Sequence, residues 1–396
     1  MQTSSPVWLL FASACFLSAC QSDLAPTMSN LQAGLAQGNL LQFAGNGASK
    51  TPQPATPAPT APTAPTAPTA SSPAPACDTA ALQALMIPSN VDPSPVKLNC
   101  SVKLPENAVV TRQVVFEGSA ASGSTLDCSG GRLEGSASKG DKEAVVVRSR
   151  RTGETWSRPT GITVKNCEIA GGIRVYGLGR NGEAEAVKQS SMSANHTSFA
   201  QASAPTNIVF DHIHLTGSGG VPFYVSPGVT HVTLSGSTIE GSSSSVAVYL
   251  DAESAGAKIV NNTFNISTKS RELIAVDGSA YNQISGNRFN SASHGGVYAY
   301  RNCGEGGTIR HQAPQFNRIE RNTFMMNGSQ DPAVWLNSRN GNRSYCFKDP
   351  SRPFGSSLSS LDMAQNNTVD GNTIIGGVSE AVRNNDPTNT IRNNGA

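Results

Sequence analysis

The sequence predicts an all-β solenoid of short strands, and three observations support this prediction. A six-residue frame, apolar-x-x-Asn-x-apolar, recurs along the chain. Between the repeats lie short β-type runs bounded by Gly, Asn and Ser, with no long apolar stripe at helical spacing. The repeat length is constant over several turns and then grows by insertions, which is typical of solenoids.

The frame is clearest in residues 259–264, 284–289, 319–324 and 369–374. Leu234, Ile259 and Ile284 are 25 residues apart, and the next two steps lengthen to 35 and 50. The recurrent Asn suits a corner where the backbone becomes left-handed and side-chain amides can hydrogen-bond from turn to turn. We therefore expect a structural ladder of Asn side chains.

These repeats make residues 97–394 similar to the right-handed parallel β-helix proteins of the pectate-lyase-like, carbohydrate-active group. The resemblance implies an all-β, right-handed parallel β-helix solenoid. It also implies a short N-terminal helix that caps the core, and Thr79–Met86 is the candidate. The repeat is specific for this architecture but does not identify a substrate.

The N-terminal region divides into two further predicted parts. Residues 1–19 resemble a signal peptide, because the apolar stretch 7–17 is too short to span a bilayer. Residues 17–20, Leu-Ser-Ala-Cys, resemble a bacterial lipobox, which implies a lipid on Cys20, and Gln21 points to the outer membrane. We therefore expect an exported outer-membrane lipoprotein.

Residues 20–76 are predicted to be a disordered tether. Residues 51–75 are rich in Pro, Ala and Thr and carry no charge and no large apolar side chain. Such a segment cannot bury enough surface to offset the entropy of ordering, so it should act as an extended spacer. The β-helix domain is assigned to residues 77–396.

Once Cys15 and Cys20 are set aside, six cysteines remain in a chain expected in an oxidising compartment, and they predict disulfides. Cys77 and Cys100 bracket the candidate helix. Cys303 and Cys346 bracket the longest late insertion, so we expect both pairs to bond. Cys128 and Cys167 form either a third pair or two buried thiols, and no CxxC spacing suggests zinc.

Composition and motifs exclude several function classes. A net charge of +2 with 14% charged residues does not describe a nucleic-acid-binding protein. The chain contains no GxxxxGK[ST], HExxH or GxSxG motif, which argues against a nucleotide phosphate loop, a zinc protease and a serine esterase. We expect a monomer.

A second alternating run precedes each Asn-bearing strand, and its second and fourth residues should face outward. They form two columns: Arg174, Tyr224, Tyr249, Ala275, Tyr298 and Trp335, and beside them Tyr176, Ser226, Asp251, Asp277, Tyr300 and Asn337. Aromatic faces with polar rims suit sugar rings, although they also suit cross-strand packing. The predicted substrate-binding residues are Arg174, Tyr176, Tyr224, Tyr249, Tyr298, Trp335 and Arg339.

Asp251 and Asp277 lie on adjacent turns, where their carboxylates should be about 5 Å apart. Three uses of the pair stay open. The carboxylates could bind Ca²⁺ with Glu253 as a further ligand, serve as acid and nucleophile of a retaining glycosidase, or pair with Arg301 for structural reasons.

The insertion that follows Tyr300 supplies the other candidate catalytic residues. Residues 301–312 should bring Tyr300, Arg301 and His311 toward the two carboxylates. Arg301 would grip a uronate carboxylate, and Tyr300 or His311 would remove a proton. Basic residues also recur in the insertions 177–205 and 338–364, which favours an anionic ligand.

The sequence therefore predicts a polysaccharide-active enzyme, with a lyase that cleaves an acidic, uronate-containing glycan by β-elimination as the first choice. A C5-epimerase shares the first step, and a glycoside hydrolase would use Asp251 and Asp277. A non-catalytic, surface glycan-binding module is the alternative from another class. The expected partners are an acidic polysaccharide and a membrane bound through the lipid, with Ca²⁺ as the candidate cofactor.

Overall fold

The computed structural model describes residues 66, 71–135, 143–179 and 184–395. They belong to one compact unit, Ala61–Ala396. The predicted signal peptide, Cys20 and most of the predicted tether lie outside the described residues. In the described part of the chain, no helix is both long and apolar enough to cross a membrane.

Three parallel sheets wind around a common core and confirm the right-handed parallel β-helix. The front sheet contains Val96–Lys97, Val114–Glu117, Glu143–Arg148, Gly172–Tyr176, Phe223–Val225, Val248–Leu250, Ile274–Asp277, Val297–Tyr300, Val334–Leu336 and Val382–Arg383. The second sheet contains Val102–Lys103, Thr125–Asp127, Thr163–Lys165, Thr206–Asp211, Thr230–Ser235, Lys258–Val260, Gln283–Ser285, Arg318–Glu320, Thr368–Asp370 and Thr390–Arg392. The third sheet contains Val109–Val110, Arg132–Glu134, Glu168–Ala170, His214–Gly219, Thr238–Ser243, Thr263–Thr268, Arg288–Phe289, Thr323–Met325 and Thr373–Ile375.

The remaining elements are short. A separate antiparallel pair joins Arg150–Thr152 to Thr155–Ser157. The helices are α1 (Thr79–Met86), α2 (Glu185–Ser191), α3 (His196–Ser203) and α4 (Gly355–Leu358), with 3₁₀ turns at Ser119–Ala121 and Glu305–Gly307. Helix α1 has the predicted bounds.

Helix α1 begins where the Asp78 side chain accepts a hydrogen bond from the Ala81 amide at 2.8 Å. This cap satisfies one of the amides that the first helical turn leaves without an intrahelical partner. Leu85 is fully buried and packs into the core of the solenoid. The helix therefore covers apolar side chains at the start of the solenoid, as predicted.

Apolar side chains fill the interior because each strand alternates inward and outward residues. One column of the core consists of Phe264, Phe289 and Phe324, which are fully buried. Their rings stack at centroid distances of 4.7 Å for each neighbouring pair. This spacing matches the separation of paired strands, so each turn places the same residue type on the same interior site.

The predicted Asn ladder is present. Asn262, Asn287, Asn322, Asn372 and Asn394 are linked in order, because each amide oxygen accepts the backbone amide of the preceding member at 2.9–3.1 Å. The left-handed residue is the one before each ladder Asn: Asn261, Gly286, Arg321, Gly371 and Asn393. A second ladder, which the sequence did not reveal, runs through Asn282, Asn317, Asn367 and Asn389.

Replacing Asn322 by Ala should lower the free energy of unfolding by on the order of 3 kcal/mol. The side-chain amide of Asn322 accepts from the backbone N–H of Asn287 at 2.9 Å and donates to the carbonyl of Ile284 at 2.9 Å. The substitution would leave this buried N–H and this buried carbonyl without those partners. Urea denaturation measures the effect, with the exposed Asn265→Ala as control. Equal losses in the two variants would show that the ladder does not stabilise the solenoid.

Both predicted disulfides are present, Cys77–Cys100 and Cys303–Cys346, and Cys128 bonds Cys167. The alternative of two buried thiols is therefore wrong.

The folded domain begins before residue 77, which the sequence analysis assigned as its first residue. Ser71 donates to the carbonyl of Thr160, and the amide of Ala74 donates to Gly123.

Candidate functional site

The outward columns of the front sheet follow the predicted register. Strand pairing places Tyr224 next to Tyr249, Ala275 next to Tyr298, and Tyr298 next to Trp335. The alternate residues of the same strands are buried in the core. The alternation in the sequence therefore identified the outward face correctly.

The aromatic column both packs against itself and keeps partly exposed rings. Ring centroids are 6.0 Å apart for Tyr176 and Tyr224, 5.8 Å for Tyr224 and Tyr249, and 5.5 Å for Tyr298 and Trp335. Tyr298 is 8% exposed, and the other four residues, Tyr176, Tyr224, Tyr249 and Trp335, are half-buried. The column can offer aromatic surface to a ligand while it stabilises the sheet.

Arg174 lies at one end of this column and is paired within the protein. Its Nε is 3.1 Å from Oε1 of Glu143, and the hydroxyl of Tyr176 donates to the same oxygen at 2.8 Å. The two predicted ligand-binding residues therefore share one carboxylate. A ligand that bound Arg174 would have to compete with Glu143.

Asp251 and Asp277 lie together, and Arg310 is the cation that pairs with them. The Arg310 guanidinium is 2.9 Å from Oδ1 of Asp251 and 3.5 Å from Oδ2 of Asp277. All three residues are at most 3% exposed. The predicted pairing with Arg301 is therefore wrong, because the cation comes from nine residues later in the same insertion.

Two tyrosines of the aromatic column donate hydrogen bonds to the paired carboxylates. Tyr224 donates to Asp251 and Tyr249 donates to Asp277, each at 2.6 Å. Burial raises the pKa of Asp251, Arg310 opposes this shift, and the charge of Asp277 adds to it. Burial and Asp277 also raise the pKa of Tyr249 well above its ordinary value, so this phenol is a neutral proton donor.

Glu305 is a third carboxylate of the same cluster, which the sequence analysis did not select. Its Oε2 is 3.1 Å from the Arg310 guanidinium, and its side chain is 41% exposed. Burial raises the pKa of Glu305 despite the opposing effect of Arg310. Glu305 is the only acidic residue of the insertion 301–312, and that signal could have identified it.

Asn302 connects these groups to the insertion 338–364. Its Nδ2 lies 2.9 Å from Oε2 of Glu305, 2.8 Å from Oδ2 of Asp277 and 3.2 Å from the hydroxyl of Tyr249. The hydroxyl of Tyr345 donates to the Asn302 side-chain oxygen at 2.8 Å. One amide side chain therefore organises two carboxylates and two phenols.

Arg339, a predicted substrate-binding residue, lies beside this network. Its Nη1 is 3.5 Å from the hydroxyl of Tyr345, and its guanidinium lies 3.7 Å from the ring centre of Tyr300. The side chain is half-buried, and it forms no ion pair with any residue in the described ranges. Arg339 therefore has charge available for an anionic ligand.

Tyr300 does not fit its predicted role as a proton acceptor. It is 1% exposed, Arg271 donates to its hydroxyl at 2.7 Å, and Arg339 covers its ring. Burial raises the pKa of Tyr300 far above its ordinary value. The phenol therefore stays protonated and is enclosed by two arginines.

Arg301 does not fit its predicted role as the uronate-binding residue. Its Nη2 donates to the carbonyls of Ser359 and Leu361 at 2.6 and 2.5 Å. The side chain is buried, and burial lowers its pKa to about 10. Arg301 is therefore committed to contacts inside the protein.

His311 and Glu253 belong to a different cluster, which joins the insertion 301–312 to helices α2 and α3. Nε2 of His311 lies 2.8 Å from the carbonyl of Ser191, and its backbone amide donates to Glu253 at 2.7 Å. The Thr197 hydroxyl donates to the same carboxylate. The His311 ring therefore hydrogen-bonds to Ser191 and not to Asp251 or Asp277. This differs from the prediction that His311 lies beside the two aspartates as a proton acceptor.

Calcium binding by Asp251, Glu253 and Asp277 stays a prediction. The carboxylate of Glu253 faces Thr197 and His311, whereas the two aspartates pair with Arg310. Within the described ranges, no group of three or more His, Cys, Asp or Glu residues could hold a metal ion. A calcium ion at the two aspartates would have to displace the Arg310 guanidinium.

Comparison with known protein families gives a match over the middle of the chain. The model of the NosD family, described as periplasmic copper-binding protein, matches residues 134–346. This range includes most of the front sheet, both clusters around Asp251 and Glu253, and the disulfide Cys303–Cys346. A comparison with curated protein sequences gives no significant match.

The side chains that could act as metal ligands in this structure do not fit the copper of the family description. Copper sites use imidazole, thiolate or thioether ligands. All six cysteines of the described ranges form disulfides. The rings of His196 and His311 are 5.1 Å apart, but His311 is bonded to Ser191, and the described residues supply no third His, Cys, Asp or Glu in metal-binding geometry.

Several solved structures resemble the chain at low sequence identity. The A-modules of two mannuronan C-5 epimerases from Azotobacter vinelandii, AlgE6 and AlgE4, are 14% and 12% identical to it. AlgE6 is covered over 81% of its length and 75% of this chain, with a TM-score of 0.43. For AlgE4 the coverage is 94% of that module and 82% of this chain, with a TM-score of 0.29.

The surface protein and adhesin PfbA from Streptococcus pneumoniae is 11% identical. The alignment covers 88% of PfbA and 74% of this chain, with a TM-score of 0.35. Similarities of this size carry no conclusion about activity. The family match covers more than half of the 396 residues, and the chain therefore belongs to the NosD family.

Proposed function

We propose that the protein is a lyase that cleaves a uronate-containing polysaccharide by β-elimination at the front sheet. One observation carries the proposal. The half-exposed carboxylate of Glu305, the neutral phenol of Tyr249 and the guanidinium of Arg339 meet around Asn302 and Tyr345. These are the three kinds of group that elimination next to a carboxylate requires.

Arg339 would bind the uronate carboxylate. A guanidinium fits a carboxylate through two parallel hydrogen bonds. Neutralising the carboxylate charge also makes the proton on the adjacent carbon more acidic, because the negative charge that develops there is stabilised. This assignment gives Arg339 the role that the sequence analysis gave to Arg301.

Glu305 would remove the proton. A carboxylate with a raised pKa is a stronger base than an ordinary one, and Glu305 is exposed enough to reach a substrate. The electron pair of the broken C–H bond forms the new double bond, and the glycosidic C–O bond breaks. The proton stays on Glu305 until it exchanges with water.

Tyr249 would protonate the leaving oxygen: its O–H would turn from Asp277 to the substrate, and the phenolate would then regain a proton from water. Its phenol is neutral because its pKa is raised, and Asp277 accepts its proton in a hydrogen bond. Tyr249 and Glu305 both lie within hydrogen-bond distance of one nitrogen of Asn302, so their oxygens are no more than about 6 Å apart. A sugar ring could contact both.

A C5-epimerase is the second candidate, because the same proton transfer could be followed by protonation of the opposite face of the sugar. The specific support is that the base, Glu305, and the acid, Tyr249, are separate residues, so the proton could leave one face of the sugar and return to the other. A hydrolase would use Asp251, Asp277 and Glu305, but the two aspartates are buried behind Tyr224 and Tyr249. A purely glycan-binding role would use the half-buried aromatic column.

Incubation with a panel of uronate polymers in deuterated water tests the proposal. We expect ultraviolet absorbance from an unsaturated product without carbon-bound deuterium, because the carbon that loses its proton becomes part of the double bond. Deuterium without absorbance would indicate an epimerase, and new reducing ends without either would indicate a hydrolase. Binding without any of these signals would contradict all enzymatic functions and leave the glycan-binding module.

We also propose that the protein works outside the cytoplasm, held to the outer membrane by a lipid on Cys20 and active as a monomer. Three disulfides support an oxidising compartment, and the family description is periplasmic. Metabolic labelling with a palmitate analogue tests the anchor, because a Cys20→Ser variant should lose the label. Equal labelling of both proteins would contradict it.

A further inference from the structure

Asp362 is a buried carboxylate outside the three sheets. It is 0% exposed and lies near the end of the insertion 338–364. Its Oδ1 accepts the backbone amide of Arg301 at 3.0 Å, and its Oδ2 accepts the amides of Arg339 and Asn340 at 2.8 and 2.7 Å. One carboxylate therefore fixes the backbone at two distant points of the chain.

Arg301 makes the reciprocal contacts. Its guanidinium donates to the carbonyls of Ser359 and Leu361, which lie three residues and one residue before Asp362. Each residue thus uses its side chain to hold the backbone that surrounds the other. We call Arg301 and Asp362 the clamp.

The clamp joins the two insertions that carry the proposed site. Asn302 follows Arg301 directly, and Arg339 is itself a clamp partner through its backbone amide. The disulfide Cys303–Cys346 joins the same insertions next to Asn302 and Tyr345. The disulfide therefore fixes the position of Tyr345, whereas the clamp fixes the position of Arg339.

A buried carboxylate has a cost in desolvation free energy that its hydrogen bonds must offset. In the described residues, the hydrogen bonds of the Asp362 carboxylate all come from backbone amides of the insertions, and none comes from the strands of the three sheets. The arrangement has a direct effect on one functional group: it orients the backbone from which the Arg339 guanidinium extends over Tyr300.

We propose that Asp362, together with Arg301, is a positioning residue that holds Arg339 in place to bind the uronate carboxylate. The inference rests on the proposed function for the identity of the ligand. Asp362 itself does not touch the substrate. Its loss should weaken substrate binding and also slow the chemical step, because both depend on the position of Arg339.

The test is Asp362→Asn. The NH₂ group of asparagine replaces one acceptor oxygen and would face backbone N–H groups, so donors would meet donors and hydrogen bonds of the clamp would be lost. We expect the amide protons of Arg339 and Asn340 to exchange with solvent at least about tenfold faster. On the uronate polymer that the wild type degrades, we expect KM to rise and kcat to fall, each by at least about threefold, because Arg339 both binds the carboxylate and stabilises the charge that develops beside it.

Asp349→Asn is the matched control, because Asp349 lies in the same insertion and pairs locally with Ser351 and Arg352. Asp349→Asn should change neither the amide hydrogen exchange at residues 339 and 340 nor KM. If Asp362→Asn does not fold, Arg301→Lys tests the clamp, since it keeps the charge but cannot hold both carbonyls. We expect the same exchange and KM changes.

Exchange is measured on the free protein, so it tests the clamp even if no polymer is turned over. Unchanged exchange at residues 339 and 340 would overturn the proposal. Faster exchange with unchanged KM would also overturn it, because Arg339 would then not depend on the clamp for binding. A wild type without turnover on any uronate polymer contradicts the proposed function separately.

Discussion

Replacing Glu305 by Gln is expected to lower kcat/KM on a uronate polymer by about 10²- to 10⁴-fold, the usual contribution of a positioned general base. Glutamine keeps the size of the side chain and an oxygen that can accept from Asn302, but it cannot take up a proton. The fall should occur mainly in kcat, because Arg339 still binds the substrate carboxylate.

The pH dependence of the wild type gives a second signature. Because the pKa of Glu305 is raised, kcat/KM should rise as the pH increases through that pKa, where Glu305 loses its proton. The residual activity of Glu305→Gln should lack this rise. Rates measured across the acidic range at constant ionic strength would show the difference.

Glu168→Gln is the matched control, because Glu168 is exposed on the third sheet, away from the front sheet. It should keep wild-type rates. Full activity of Glu305→Gln would remove Glu305 from the mechanism. Tyr249→Phe would then show whether the neighbouring phenol is still required, with Tyr281→Phe as its control at another corner of the solenoid.

Most of the fold could be predicted because its rules are local and repeated. Strand alternation placed Tyr249 and Asp277 on the outward face, and the spacing of Asn287 and Asn322 marked successive corners. A solenoid repeats the same packing in each turn, so a period in the sequence directly becomes a position in space. The disulfides Cys77–Cys100 and Cys303–Cys346 followed from the helix Thr79–Met86 and the late insertion that they bracket, whereas the pairing of Cys128 with Cys167 stayed open.

The site was harder to predict because its other half comes from insertions without a period. Arg301 and Arg310 are both in residues 301–312, and nothing in the sequence shows which side chain turns toward Asp251. The structure assigns Arg310 to the carboxylates and Arg301 to backbone carbonyls. Glu305 was missed because its Gly-rich surroundings resemble an ordinary turn.

Replacing Arg310 by Met is expected to lower the free energy of unfolding at neutral pH by about 3–5 kcal/mol, the cost of breaking a buried ion pair by removing one partner. Met keeps much of the volume of the side chain but leaves Asp251 and Asp277 buried without their cation. Guanidinium chloride would supply ions that screen the charges, so urea denaturation is the better measurement.

The loss should depend on pH in a defined direction. The folded pKa of Asp251 is raised above its unfolded value, so its contribution to stability is full below the unfolded pKa and is lost as the pH rises through the folded pKa. Without Arg310 that folded pKa rises further. The difference between wild type and Arg310→Met should therefore be largest at neutral pH and shrink in acid, where a protonated Asp251 needs no cation.

Arg151→Met provides the comparison, because Arg151 pairs with Glu154 at the surface and the two side chains are 42% and 95% exposed. Its effect should stay within about 1 kcal/mol, since exposed ion pairs contribute little. A pH-independent loss in Arg310→Met would mean that Arg310 stabilises the fold by packing alone. In that case Asp251 and Asp277 would not hold the buried charge that adds to the effect of burial in raising the pKa of Glu305, the proposed base.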